Sequence, residues 1–273
     1  MSELRIRAVS GFLYIALLIA SLFSQHAFLV LFYFFGLICL VEFNRLIQLR
    51  AWYPYVVFTI LYAVFGYWNF FADSDLIIKE FLRIYHVISI FVMLLLIKDL
   101  FSLKTIPLFH SKRLIITTFY ISSAFIFMIA TSTMHGQFAP WLILGIFMLV
   151  WINDSFAFLI GKNFGKQKLF PRISPKKTVE GFLGGLFFSC LASLLIARYS
   201  DTLPFNYWLY LAIIASVFGT IGDLIESKFK RQAHVKDSGV IMPGHGGLLD
   251  RLDSIIFAAP FIYLFLVIFT DVS

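Results

Sequence analysis

Charge is scarce in this sequence. Only 14% of its 273 residues are Asp, Glu, Lys or Arg, where a soluble domain carries about 25%. That deficit excludes a disordered chain and an ordinary soluble enzyme. Cysteine is scarcer still. The two present, Cys39 and Cys190, both sit inside apolar runs, which excludes a disulfide-stapled secreted scaffold and a cysteine metal pair. Familiar catalytic signatures are also missing. Residues 161–166, G-K-N-F-G-K, are one residue too short for a Walker loop and lack its Ser or Thr, and there is no H-E-x-x-H, C-x-x-C or G-x-S-x-G. The basic residues follow the hydropathy pattern and match no nucleic-acid-reading motif, so no nucleic acid is expected as partner.

What is present is apolar. Hydrophobic residues make up 60% of the chain, Phe alone supplies 34, and the mean hydropathy is +0.90. One buried core of this chain length cannot hide so much apolar surface. The fold class this predicts is all-α, a polytopic membrane protein. A helix needs about 20 apolar residues to cross the hydrocarbon core. Nine runs qualify, at 8–24, 27–43, 53–71, 86–102, 114–131, 138–160, 180–199, 205–224 and 253–270. They are continuous, whereas membrane β-strands would alternate over about ten residues. The first run continues into the second near Gln25 and His26 without a small-residue cleavage site, so it is expected to be retained.

Charge placement tests that count. Alternate loops hold nearly all the cations: Arg5 and Arg7; Arg45 and Arg50; Lys104, Lys112 and Arg113; Lys162, Lys166, Lys168, Arg172, Lys176 and Lys177; then Lys228, Lys230, Arg231, Lys236 and Arg251. The intervening loops carry only Lys79 and Arg83. Positive charge gathers on the cytoplasmic side, which predicts about nine spans with the N-terminus in and the C-terminus out. The net charge of +7 suits anionic lipid or anionic substrate. Two long loops, 161–179 and 225–252, fall on the cytoplasmic side and are expected to carry function. No soluble domain can be cut away. The chain divides into helical groups 1–85, 86–162 and 163–273, the last carrying the loop described next.

The stretch 222–254 is the most informative. Asp223, Glu226 and Ser227 share a face if the eighth helix persists, and Asp250 and Asp253 open the ninth span on the same side of the membrane. Clustered acids at a membrane are costly and repel one another unless a cation intervenes. Mg²⁺, held by one or two carboxylates with phosphate and water, is the natural ion; anchoring of helix ends by Lys228 or Arg251 is the alternative. Lys228, Lys230, Arg231, Lys236 and Arg251 interleave with the acids, and Pro243, Gly244, His245, Gly246 and Gly247 form a turn whose N–H groups can approach phosphate. Acids for a metal, cations for phosphate and a glycine turn together suit phosphoryl or nucleotidyl transfer. A second group lies upstream. Asn153 and Asp154 sit within the sixth span, where a buried acid is either functional or bonded to a neighbouring helix. Ser174 and Pro175 are expected as N-cap and first residue of the seventh helix. That places Lys176 and Lys177 in its first turn, where cations are disfavoured unless an anion binds there or they anchor the span at the interface. Gly181, Gly184 and Gly185 are expected to pack that helix closely.

These residues carry a resemblance. Ser227-x-x-Lys230-Arg231, Lys236-Asp237-x-Gly239 and Pro243-x-His245-Gly246-Gly247-x-x-Asp250-Arg251-x-Asp253 resemble the signature of the phosphatidate cytidylyltransferase (CDP-diacylglycerol synthase) family. Asn153-Asp154-x-x-Ala157, Gly161-Lys162-x-x-Gly165-Lys166 and Ser174-Pro175-Lys176-Lys177-Thr178-x-Glu180-Gly181 look like its other shared segments. Met242, where a branched or aromatic hydrophobe is commoner, is a slight departure. The N-terminal half resembles the family only in being apolar helices. The resemblance implies a Mg²⁺-dependent reaction of CTP with phosphatidic acid giving CDP-diacylglycerol and pyrophosphate, in phospholipid biosynthesis at a bacterial inner membrane. It places the metal on Asp223 and Asp250, with a second, monovalent cation such as K⁺ beside it. Candidate catalytic residues are then Asp223, Asp250, Lys230, Arg231, Lys236, Asp237 and His245. Candidate substrate-binding residues are Asp154, Ser174, Lys176, Lys177, Ser227, Lys228, Gly246, Gly247, Arg251 and Asp253. CTP, phosphatidic acid and membrane lipids are the expected partners, with a homodimer left open. A related lipid acceptor, a CTP-dependent lipid kinase and an ion or substrate transporter are the competing readings.

Overall fold

The computed structural model describes residues 3–67, 76–134, 137–244 and 246–270. His245 and the tail of the third apolar run, 68–71, lie outside the described residues. Apolar sequence that must satisfy its own backbone hydrogen bonds in lipid folds as helix, and that is what the chain does. The helices are α1 (Glu3–Ser21), α2 (Gln25–Leu46), α3 (Tyr53–Tyr62, continued by a π-turn at Ala63–Tyr67), α4 (Leu76–Phe101), α5 (His110–Ser132, with a π-turn at Thr117–Ser122), α6 (Pro140–Phe164), α7 (Val179–Ser200), α8 (Phe205–Gln232) and α9 (Leu249–Thr270). Seven of them are long and apolar enough to cross a membrane; the apolar parts of α1 and α3, Val9–Ser21 and Tyr53–Gly66, are shorter. Large apolar side chains such as Phe12, Val87, Phe158 and Phe187 stand on the outside of the bundle. So much exposed apolar surface belongs against lipid tails. The chain is a multi-pass, helical membrane protein.

The tightest packing joins α6, α7, α8 and α9, with α5 against α9. Small residues permit it, as membrane helices require. A Cβ on Gly145 of α6 would come within 2.3 Å of the Trp208 ring on α8. On α7, one on Gly184 would meet Ile160 at 2.7 Å and one on Gly185 the Asn153 carbonyl at 2.6 Å. These contacts set the distances between the helices whose ends form the site.

Two expectations change here. The chain does not enter α7 at Ser174. Residues Lys168–Phe170 (β1) and Ser174–Thr178 (β2) form an antiparallel hairpin between α6 and α7, a small departure from an all-α fold. The N-cap of α7 is Thr178, whose Oγ1 accepts the Gly181 N–H at 3.1 Å. Glu180 does not complete a capping box. Its carboxylate reaches back to the N–H groups of Lys166 and Gln167 at 3.0 and 3.1 Å and so holds the base of the hairpin. Pro175 is tolerated because a two-stranded ribbon leaves edge positions without a ladder partner. Lys176 and Lys177 therefore leave a strand and not a first helical turn. The second change is that α8 runs on to Gln232, so the connection to α9 is shorter than the expected 225–252 loop.

Candidate active site

Four chain ends meet at one end of the bundle: the C-terminal ends of α6 and α8 and the N-terminal ends of α7 and α9. They surround a cavity of about 940 Å³, with the β-hairpin on one side and α1 across another. Asp154 comes from α6, Lys176 and Lys177 from β2, Asp223 from α8, and Asp250, Arg251 and Asp253 from α9. Ser174, Lys162 and Lys168 complete the polar wall. Tyr14, Ile15, Trp151 and Phe158 add an apolar part to the lining.

Lys177 Nζ sits 2.6 Å from Asp223 Oδ2, while Ser227 Oγ donates to Oδ1 at 3.2 Å. The shared face expected for Asp223 and Ser227 is thus real, because α8 does persist. Asp154 and Asp253 lie within electrostatic reach of Asp223, and Lys177 faces all three. Asp223 is accessible, with about a third of its side chain (31%) exposed. Asp250 is not, at 6%. Its Oδ2 accepts the N–H groups of Ser238 and Gly247, both at 2.8 Å, and the Ser238 hydroxyl at 2.9 Å. Its Oδ1 takes Lys230 Nζ at 2.6 Å, and the same ammonium pairs with Glu226.

The remaining predicted residues lie outside this wall. Lys228 donates to the carbonyls of Asp99 and Ser102, where it caps the C-terminal end of α4. A helix advances 100° per residue, so Lys228 is turned about 140° from Asp223 around α8. Lys230 returns to the Asp223 face two turns on, but is held between Glu226 and Asp250. Arg231 donates to the carbonyls of Ile173 and Val235, tying the hairpin to the loop. Lys236 and Asp237 are exposed and are not among the residues lining the cavity. Gly246 and Gly247 do not present their backbone to it. Gly246, at φ +89°, lies where a Cβ would strike Asp250 Oδ2 at 2.7 Å. The Gly247 N–H is already given to Asp250. The glycine turn thus wraps a carboxylate of its own chain.

One residue is absent from the sequence-based set altogether. Glu42, on α2, is 1% exposed and accepts the N–H groups of Leu248 and Leu249 at 3.2 and 2.8 Å and the Ser238 hydroxyl at 3.2 Å. An acid inside an apolar run was its signal, the same signal that marks Asp154.

Comparison with known proteins matches the sequence to a family. The model of the cytidylyltransferase family covers residues 5–269. The chain belongs to the cytidylyltransferase family. Membership makes it an enzyme, a nucleotidyltransferase. A phosphatidate cytidylyltransferase of Bacillus subtilis is 33% identical over 276 aligned positions, covering 99% of this chain and 100% of the relative. The phosphatidate cytidylyltransferases of Staphylococcus aureus and Staphylococcus epidermidis are each 50% identical over 127 residues, 46% of this chain and 48% of theirs.

The acids fit a metal only in part. Among the described residues no three His, Cys, Asp or Glu side chains are grouped to hold an ion by themselves. The donors at hand are hard carboxylate oxygens, one or two per ion, as Mg²⁺ takes when phosphate and water complete its shell. Lys177 already places a cation on Asp223. Asp250 Oδ2 already accepts three donors, while Oδ1 accepts only Lys230 and keeps room for one further partner.

Proposed function

We propose that the protein transfers the cytidylyl group of CTP to phosphatidic acid. A phosphate oxygen of the lipid attacks the α-phosphorus of CTP, a new P–O bond forms, the α–β bridging bond breaks, and pyrophosphate leaves with that electron pair. CDP-diacylglycerol is the other product. The observation that carries this reading is the single cavity in which Asp154, Asp223, Asp250 and Asp253 face Lys162, Lys168, Lys176, Lys177 and Arg251, with an apolar wall beside them. The nucleophile is already an anion, so a general base has little to do. The obstacle is repulsion between two phosphates, and preorganised cations address it. Lys176 and Lys177 of the hairpin and Arg251 of α9 neutralise and orient the phosphates. The apolar wall of Tyr14, Trp151 and Phe158 accepts the lipid side of the acceptor. Asp223 and Asp250, with Asp154 and Asp253 alongside, would hold Mg²⁺, which would supply charge neutralisation of the triphosphate and the leaving pyrophosphate; a monovalent cation would accompany it.

The site is assigned to the cytoplasmic face of a bacterial inner membrane, with nine crossings, N-terminus in and C-terminus out. The positive charge of the loops around the cavity supports this. A single cysteine placed at Lys236 in a chain lacking Cys39 and Cys190 reacts with an impermeant maleimide only from the cytoplasmic side; labelling of intact cells at that position refutes the orientation. The activity is tested by incubating the purified protein in lipid–detergent micelles with CTP, Mg²⁺ and phosphatidic acid. Lipid-dependent release of pyrophosphate is the expected result. Release of CDP instead identifies a kinase, and no turnover overturns the proposal.

A further inference from the structure

The two halves of the chain meet at Glu42. It lies on α2, while every other acid of the site lies at least a hundred residues further along the sequence. Its carboxylate is buried against the start of α9, where backbone N–H groups have no helical partner and the helix dipole favours a negative charge. Oε1 accepts from Leu248 N and Oε2 from Leu249 N, the residue immediately before Asp250. The Ser238 hydroxyl lies within bonding distance of both Glu42 Oε2, at 3.2 Å, and Asp250 Oδ2, at 2.9 Å. A hydroxyl has one proton, so it serves one carboxylate at a time. Two glycines of the loop fit closely around the same group. A Cβ on Gly239 would fall 2.3 Å from Glu42 Oε1, and one on Gly247 would fall 2.5 Å from Oε2. Gly239 has an ordinary φ, so a side chain there meets a steric obstacle and not a strained backbone.

We infer that Glu42 is a positioning residue for the reaction: it braces the 238–249 loop from the N-terminal half of the chain and so fixes the Asp250 carboxylate in the cavity wall. Glu42 is not itself among the residues that line the cavity. Its effect passes through Ser238, Leu248 and Leu249 to Asp250. This rests on the cytidylyl-transfer reading for what the loop is used for, but the bracing stands on geometry alone.

The test compares the detergent-purified full chain with its Glu42→Gln and Gly239→Ala variants. Glutamine keeps the shape but turns one acceptor into a donor that faces a backbone N–H. Alanine at 239 pushes the carboxylate while leaving its charge. Hydrogen exchange of peptides spanning 238–250 is expected to quicken about tenfold or more in both, with α4 and α7 unchanged. The kcat is expected to fall about tenfold or more per folded molecule, while the KM for phosphatidic acid stays within about twofold. A residue that merely holds the fold lowers the amount of active enzyme and leaves kcat per folded molecule as in the wild type. That result, or unchanged exchange in the loop, overturns the inference. If Glu42→Gln does not fold, Gly239→Ala decides by the same two readings. Absence of wild-type turnover with CTP and phosphatidic acid sinks the functional reading instead, and the exchange measurement still judges the brace.

Discussion

Asp223 and Asp250 play equal parts in the proposed chemistry but hold unequal places in the structure, so the same substitution should separate them. Asp223→Asn removes one partner of a part-exposed pair with Lys177. Pairs of that kind contribute about 0–1 kcal/mol. Asp250→Asn acts on a side chain only 6% exposed that receives Lys230, two backbone N–H groups and the Ser238 hydroxyl. The asparagine amide offers one oxygen and a competing donor, so at least one of these N–H groups or the ammonium loses its acceptor. Breaking a buried, charge-assisted set costs about 3 kcal/mol. For a chain of this size each kcal/mol moves Tm by about 2–4 °C, so roughly 6–12 °C is expected for Asp250→Asn and about 4 °C or less for Asp223→Asn. Cys39, fully buried on α2, provides the assay in a chain lacking the partly buried Cys190, because a thiol-reactive dye reports its exposure as detergent-solubilised protein unfolds. Turnover should fall about 100-fold or more in both variants. Equal melting shifts for the two variants would refute the division of labour argued here, and near-normal turnover in either would remove that acid from the chemistry.

Other substitutions test the placement of the cations and the hairpin. Lys177→Met should reduce kcat/KM for CTP about tenfold or more while Tm moves by only a few degrees, as measured by pyrophosphate release and thermal unfolding. Lys228→Met should do the reverse, lowering stability by about 1 kcal/mol through loss of the α4 cap and leaving the KM for CTP within about twofold. Thr178→Ala should cost about 1 kcal/mol through loss of the α7 N-cap, and replacement by Ser should restore most of it in the same melting assay.

Hydropathy made the helices legible, since nothing but helix satisfies so continuous an apolar backbone. Where the reading fell short, a competing local interaction decided. Ser-Pro is a sound helix start in isolation, yet Thr178 and Glu180 offered a later one in which both side chains find backbone N–H partners. The site was legible by residue type more than by role. Asp154, Ser174, Lys176, Lys177, Asp223, Asp250, Arg251 and Asp253 do surround one cavity. Ser227, Lys228, Lys230 and Arg231 are drawn from the same motif but bond other groups of the protein. Linear spacing could not sort the two sets, because the sorting depends on how far α8 continues beyond Asp223.

The glycine turn shows the physical limit of reading a motif along one dimension. The Gly-rich segment is expected from its sequence to bring backbone N–H groups to a phosphate; instead the Gly247 N–H goes to a carboxylate of the protein. Gly247 gives its N–H to Asp250, Leu248 and Leu249 give theirs to Glu42, and Gly239 leaves room for the Glu42 carboxylate. Two buried acids therefore set the loop, and the cations that line the cavity are Lys162, the hairpin lysines and Arg251 instead. A loop held this way keeps Asp250 in place without substrate. The cost of ordering it is then met during folding, and in the proposed reaction that is the condition for electrostatic stabilisation without reorganisation at each turnover.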